Sequence, residues 1–143
     1  MWRSLQPVLR IFCTVFFCSL VFTACKNNED PDLTKVCYQQ IEALNRGDVK
    51  AYMATMDETS PVFLATQETF GKLTAVYRLK AEIEDIEILS LENNRATVKI
   101  KQITKKVSGP EFMDNRSIFE HTLRKSGGTW KFVETKVIKV EKL

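Results

Sequence analysis

Ser117-Ile118-Phe119-Glu120-His121-Thr122-Leu123-Arg124-Lys125-Ser126-Gly127-Gly128-Thr129-Trp130-Lys131-Phe132-Val133 reads as two extended runs joined by a tight turn. Phe119, His121 and Leu123 alternate with polar residues, which gives the first run one mostly apolar face. Ser126-Gly127-Gly128 is turn chemistry, because glycine accepts the positive φ that a short hairpin demands. Trp130 and Phe132 then open a returning run that continues to Val140. A hairpin of this kind needs a further apolar layer on its inner face.

Upstream the same period continues. Ala96, Val98 and Ile100 alternate with Thr97, Lys99 and Lys101, behind an Asn93-Asn94 turn and an isoleucine- and leucine-rich run from Ile83 to Leu91. The alternation shifts between Ile100 and Ile103, which predicts a bulge or bend there. Ser108-Gly109-Pro110 interrupts the run.

Before Ala81 the period is helical. Asp30-Pro31 reads as an N-cap with proline in the first turn, followed by Leu33, Val36, Cys37, Ile41 and Leu44 on one stripe. Gly47 closes this helix and Asp48 caps a short second one carrying Val49, Tyr52, Met53 and Met56. Ser60-Pro61 predicts a third helix to about Leu79, with a break near Gln67. Gly71 weakens that helix by about 1 kcal/mol relative to alanine. Helices first and antiparallel strands afterwards make an α+β domain.

The chain has 143 residues, 44% hydrophobic and 27% charged, which suits one globular domain and excludes a multi-span membrane protein. Arg3 and Arg10 lie in a segment without acids that precedes the apolar run Ile11–Ala24. Such a layout is that of a secretory signal, and the run is shorter than the ~20 residues of a spanning helix. Val21-Phe22-Thr23-Ala24-Cys25 resembles a bacterial lipobox, with phenylalanine where leucine is commoner. That resemblance implies removal of residues 1–24 and a lipid anchor, of the diacylglycerol and palmitate kind, on Cys25. Residues 25–31 then hold the lipidated cysteine and a polar tether, and 32–143 the domain. The tether residues Lys26 to Asp30 reach at most about 18 Å, which keeps the domain close to its membrane.

Without residues 1–24 the chain carries 19 basic and 18 acidic side chains, so no nucleic-acid partner is expected. Cys13 and Cys18 leave with the signal and Cys25 is blocked, so Cys37 is the one free thiol. On the apolar stripe it reads as a small buried hydrophobe. The expected location is the cell envelope. Lys26 is not the aspartate of inner-membrane retention, so a source with two membranes would place the protein on the outer one.

Asn45-Arg46-Gly47-Asp48 with Ala51-Tyr52 and Met56, and the closing Ser126–Val133 hairpin, together resemble nuclear transport factor 2-like (SnoaL-like, ketosteroid isomerase-like) domains. The resemblance covers about residues 32–143. It implies a strongly bent antiparallel sheet wrapped around the N-terminal helices as a cystatin-like cone with an apolar pocket. It implies no single function, because that cone hosts isomerases, dehydratases and binding modules alike.

Seven residues are candidates for the pocket wall: Tyr52, Tyr77, Phe119, His121, Trp130, Phe132 and Glu134. His121, Glu134 and the two tyrosines form the best acid–base set, yet a lone histidine on an apolar strand is more often a hydrogen-bonded wall residue. One histidine and one free thiol do not make a usual structural zinc site, and no nucleotide or hydrolase motif is present. No metal or cofactor is therefore expected. The reading that follows is a membrane-anchored lipoprotein with a non-enzymatic binding or assembly module. Its partners are the membrane, a small apolar ligand or a protein, and a second copy of itself. The alternative is an isomerase- or dehydratase-type enzyme with His121 as acid and base. A pocket of about 300 Å³ with converging polar groups separates a ligand site from a filled cone.

Overall fold

The structure, a computed structural model, describes residues 30–143. The signal segment and the expected lipid site at Cys25 lie outside those residues. Three helices, α1 (Pro31–Arg46), α2 (Val49–Ala54) and α3 (Phe63–Val76), precede four strands, β1 (Arg78–Glu92), β2 (Arg95–Ser108), β3 (Asn115–Ser126) and β4 (Thr129–Lys142). The strands form one antiparallel sheet in the order β1-β2-β3-β4. This is the α+β fold expected from the sequence. None of the described helices is long and apolar enough to cross a membrane.

Local chemistry sets the helix ends. The Asp30 carboxylate accepts from the N–H groups of Asp32 and Leu33, leaving Pro31 at the first position, where no N–H is needed. Gly47 ends α1 in the left-handed conformation, φ 64°, and its N–H returns to the carbonyls of Ala43 and Leu44. Asp48 caps α2 by accepting from Ala51 N–H at 2.9 Å. Asn45 donates to the Ala81 carbonyl at 2.9 Å and accepts from its N–H at 2.6 Å. One side chain thereby satisfies both backbone groups on the free edge of β1.

Three expectations are corrected. α3 runs unbroken past Gln67 and through Gly71. It ends at Val76 rather than Leu79, because Tyr77 is already extended. The bulge foreseen in β2 is absent: every even position from Ala96 to Thr104 is buried. The polar pair Gln102 and Thr104 takes the inward positions, with Gln102 Nε2 donating to Thr104 Oγ1 at 3.1 Å. The irregularities fall instead in the edge strands, in β1 around Glu84 and Leu89 and in β4 around Val133 and Ile138, and in β2 at Val107 near its end. Extra residues on edge strands bend and twist a sheet, and these curl it around the helices.

The core lies between α1 and the curled sheet. Leu33, Val36 and Cys37 meet Val98, Leu123 and Phe132, with Met53 of α2 and Met56 just beyond it closing the cluster. Trp130 is buried, and its Nε1 donates to Asp30 Oδ2 at 2.9 Å, fastening the start of α1 to the last hairpin. Past α2 the chain pairs with β4: Asp57 N–H donates to the Phe132 carbonyl at 2.8 Å and Phe132 N–H to the Thr55 carbonyl at 2.9 Å.

Candidate functional site

Where the helices diverge from the sheet, a cavity of about 360 Å³ remains. Gln40, Ile41 and Leu44 reach it from α1, Tyr52 from α2, and Val62 and Thr66 from the start of α3. The sheet contributes Gln102 of β2, Phe119 and His121 of β3, and Glu134 and Thr135 of β4. Apolar and hydrogen-bonding side chains are thus interspersed around it, the usual makeup of a small-molecule pocket.

His121 is 6% exposed. Its Nδ1 lies 2.8 Å from Thr135 Oγ1, and its ring packs edge-on against Phe132 at 5.1 Å between centroids. Burial pushes its pKa down to about 4, so the ring is neutral near pH 7. Tyr52 stacks on Phe70 with ring centroids 3.9 Å apart, and burial pushes its hydroxyl up to about 12. Its chemistry near neutral pH is therefore hydrogen bonding. Gln40 donates through Nε2 to Thr55 Oγ1 at 3.1 Å and also faces Met56 Sδ at 3.8 Å.

Of the seven residues predicted for the wall, the structure brings Tyr52, Phe119, His121 and Glu134 to this cavity. It does not bring Tyr77, Trp130 or Phe132. Tyr77 lies beyond α3 against Phe112, at 5.8 Å between centroids. Trp130 and Phe132 are 1% and 0% exposed, because α1 and the segment Thr55–Asp57 cover that end of β4. The irregularity at Val133 interrupts the alternation that Trp130 and Phe132 begin. Thr135, not Glu134, pairs with His121, and Glu134 sits exposed at the cavity rim opposite Thr122. Gln40, Gln102 and Thr135 were missed. The two glutamines occupy the helical and strand phases of their apolar neighbours, a signal that an apolar-only stripe overlooks.

Cys37 is buried in the core, its thiol donates to the Leu33 carbonyl at 3.3 Å, and burial raises its pKa to about 12. At neutral pH it is an inert thiol. No cluster of three or more metal-ligating side chains occurs among the described residues.

A second polar site lies in the loop after α2. Arg124 donates through Nε and Nη2 to Asp57 Oδ2 at 2.9 and 2.6 Å, while Thr59 donates to Oδ1 through its N–H at 2.9 Å and its hydroxyl at 2.7 Å. Burial alone would raise the Asp57 pKa, but these hydrogen bonds and the Arg124 charge outweigh it and hold the carboxyl below its ordinary range. The pair ties the loop after α2 to β3. With every oxygen already engaged, it is structural.

The family model for the C-terminal domain of anti-sigma-I factor RsgI9 matches residues 35–143. The curated anti-sigma-I factor RsgI9 of Acetivibrio thermocellus is 31% identical over 105 residues, covering 73% of this chain and 15% of that protein. The chain therefore corresponds to a small part of that relative's length. Among solved structures, an NTF2-like protein of unknown function from Shewanella oneidensis superimposes with TM-score 0.58 at 21% identity, over 75% of this chain and 96% of that one. A protein of unknown function with a cystatin-like fold from Nostoc punctiforme gives TM-score 0.63 at 13% identity, over 78% and 90%. An NTF2-like protein of unknown function from Pseudomonas putida gives TM-score 0.63 at 9% identity, over 75% and 83%. At these identities the likeness is one of fold, and it is the cone that the sequence resemblance implied.

Proposed function

The chain belongs to the anti-sigma-I factor RsgI9 C-terminal domain family, and from that premise we propose that it is an exported, membrane-tethered binding module without catalytic activity. The cavity of about 360 Å³, with apolar and hydrogen-bonding walls, carries this reading. A domain that served only as a spacer would have no need to keep polar side chains beside open space in its interior. Tethering rests on the signal-like residues 1–24 and the lipobox-like sequence ending at Cys25. The relative's description as an anti-sigma factor fits a role as the appended, ligand-responsive part of a regulator. The rest of that regulator has no counterpart in the matched residues.

The wall chemistry favours binding over turnover. A general base working near pH 7 needs a pKa near 7, and His121, held at about 4, is a poor proton acceptor there. Its Nδ1 partner is a threonine hydroxyl rather than a carboxylate, so nothing raises its basicity. Native mass spectrometry of the full chain released from its membrane in mild detergent tests the proposal. A retained small-molecule mass should accompany the wild type and vanish in Ile41→Trp, which fills the cavity from α1. Identical spectra for the two proteins, with no adduct, would count against a ligand site.

A further inference from the structure

Three polar side chains that line the cavity are nearly buried: Gln40 is 7% exposed, Gln102 8% and His121 6%. The hydroxyl of Thr55 donates to the Tyr52 carbonyl at 2.7 Å, so towards Gln40 its oxygen can only accept. Gln40 must then present its amide nitrogen to Thr55, with Met56 Sδ as second acceptor, and its Oε1 has no protein partner among the described residues. Gln102 likewise spends Nε2 on Thr104, and His121 spends Nδ1 on Thr135. No buried side-chain nitrogen or oxygen among the described residues lacks a hydrogen-bond partner. The remaining atoms, the two glutamine oxygens and His121 Nε2, must therefore touch open space, and the space these residues share is the cavity.

The charge of the lining is one-sided. Glu134 is the one charged side chain among the lining residues, no lysine or arginine is among them, and Glu134 makes no ion pair among the described residues. An anionic ligand would meet carbonyl oxygens and a carboxylate with no cation to offset them. A neutral alcohol could use the acceptors alone. A ligand that carries both N–H donors and positive charge engages the glutamine oxygens and the carboxylate together.

We propose that the cavity is a site for a small amphipathic ammonium compound, its cationic end at Glu134 and its apolar body against Ile41, Leu44, Val62 and Phe119; this deepens, and rests on, the reading of the domain as a binding module. The test is a titration of the full chain in detergent at pH 7 with 2-phenylethylamine, 2-phenylethanol and phenylacetate, followed through the side-chain amide signals of Gln40 and Gln102. These three probes share one apolar body and differ in head group. The amine should bind about tenfold more tightly than the alcohol, and the carboxylate more weakly than either. Glu134→Gln should bring the amine close to the alcohol while leaving alcohol binding unchanged, and Ile41→Trp should abolish both. If amine and carboxylate bind alike, or Glu134→Gln leaves the amine's advantage intact, the ammonium assignment is wrong while the binding module stands. If no probe moves either glutamine in the wild type, both fall.

Discussion

At the scale of single residues, His121 shows most clearly how environment sets role. Its ring is buried, and burial disfavours the protonated, charged form. The unfolded chain takes up a proton near pH 6.5, whereas the folded chain refuses it until about pH 4. Stability is therefore undiminished above about 6.5 and falls by about 3 kcal/mol as pH drops through that window. His121→Gln, which keeps a donor and an acceptor, should flatten the pH dependence of denaturant unfolding between pH 6.5 and 4. Parallel slopes for the two proteins would show that the ring is not buried neutral. The carboxyls of Asp30 and Asp57 work in a lower window. Burial tends to raise both, but their hydrogen bonds and neighbouring cations bring them below the ordinary value, so the stability they add is lost only as pH falls through those depressed pKa values.

Among the elements, the last hairpin is fastened to α1 through Trp130. Trp130 is buried beside α1, its Nε1 bonds the same Asp30 carboxylate that caps that helix, and Lys125 Nζ lies 5.4 Å from its ring centroid. Trp130→Ala should cost about 3–5 kcal/mol, while Trp130→Phe should lose much less, because the packing largely survives and only the indole hydrogen bond goes. Calorimetric unfolding of the full chain distinguishes them, and equal losses would mean that the Asp30 bond rather than packing dominates. This hairpin was legible in the sequence because its turn glycines and alternating apolar residues report directly on backbone geometry. The helix caps Asp30, Gly47 and Asp48 were legible for the same reason. The strand edges were not: the irregularity at Val133 leaves no compositional mark, yet it makes Thr135 rather than Glu134 the partner of His121. The polar lining of the cavity was hidden too, since the amide nitrogens of Gln40 and Gln102 are held inside by Thr55, past the end of α2, and by Thr104, further along β2.

In the whole molecule, the curled sheet and three helices bury one continuous core at the hairpin end and leave the cavity beyond it. The proposed anchor joins the core end, because Asp30, which holds Trp130, is only five residues beyond Cys25. Anchoring is tested by labelling with a fatty acid in a bacterial host: wild type should incorporate label and fractionate with membranes, and Cys25→Ser should do neither. Unlabelled wild type would rule out a lipoprotein. The central claim, that the cavity receives a ligand, is tested most directly by the ¹⁵N signals of the full chain on addition of 2-phenylethanol, whose neutral head makes the result independent of ligand charge. His121 Nε2 should shift saturably while Trp130 Nε1, sealed against Asp30, stays in place. Shifts confined to Trp130, or to residues outside the cavity, would contradict the account.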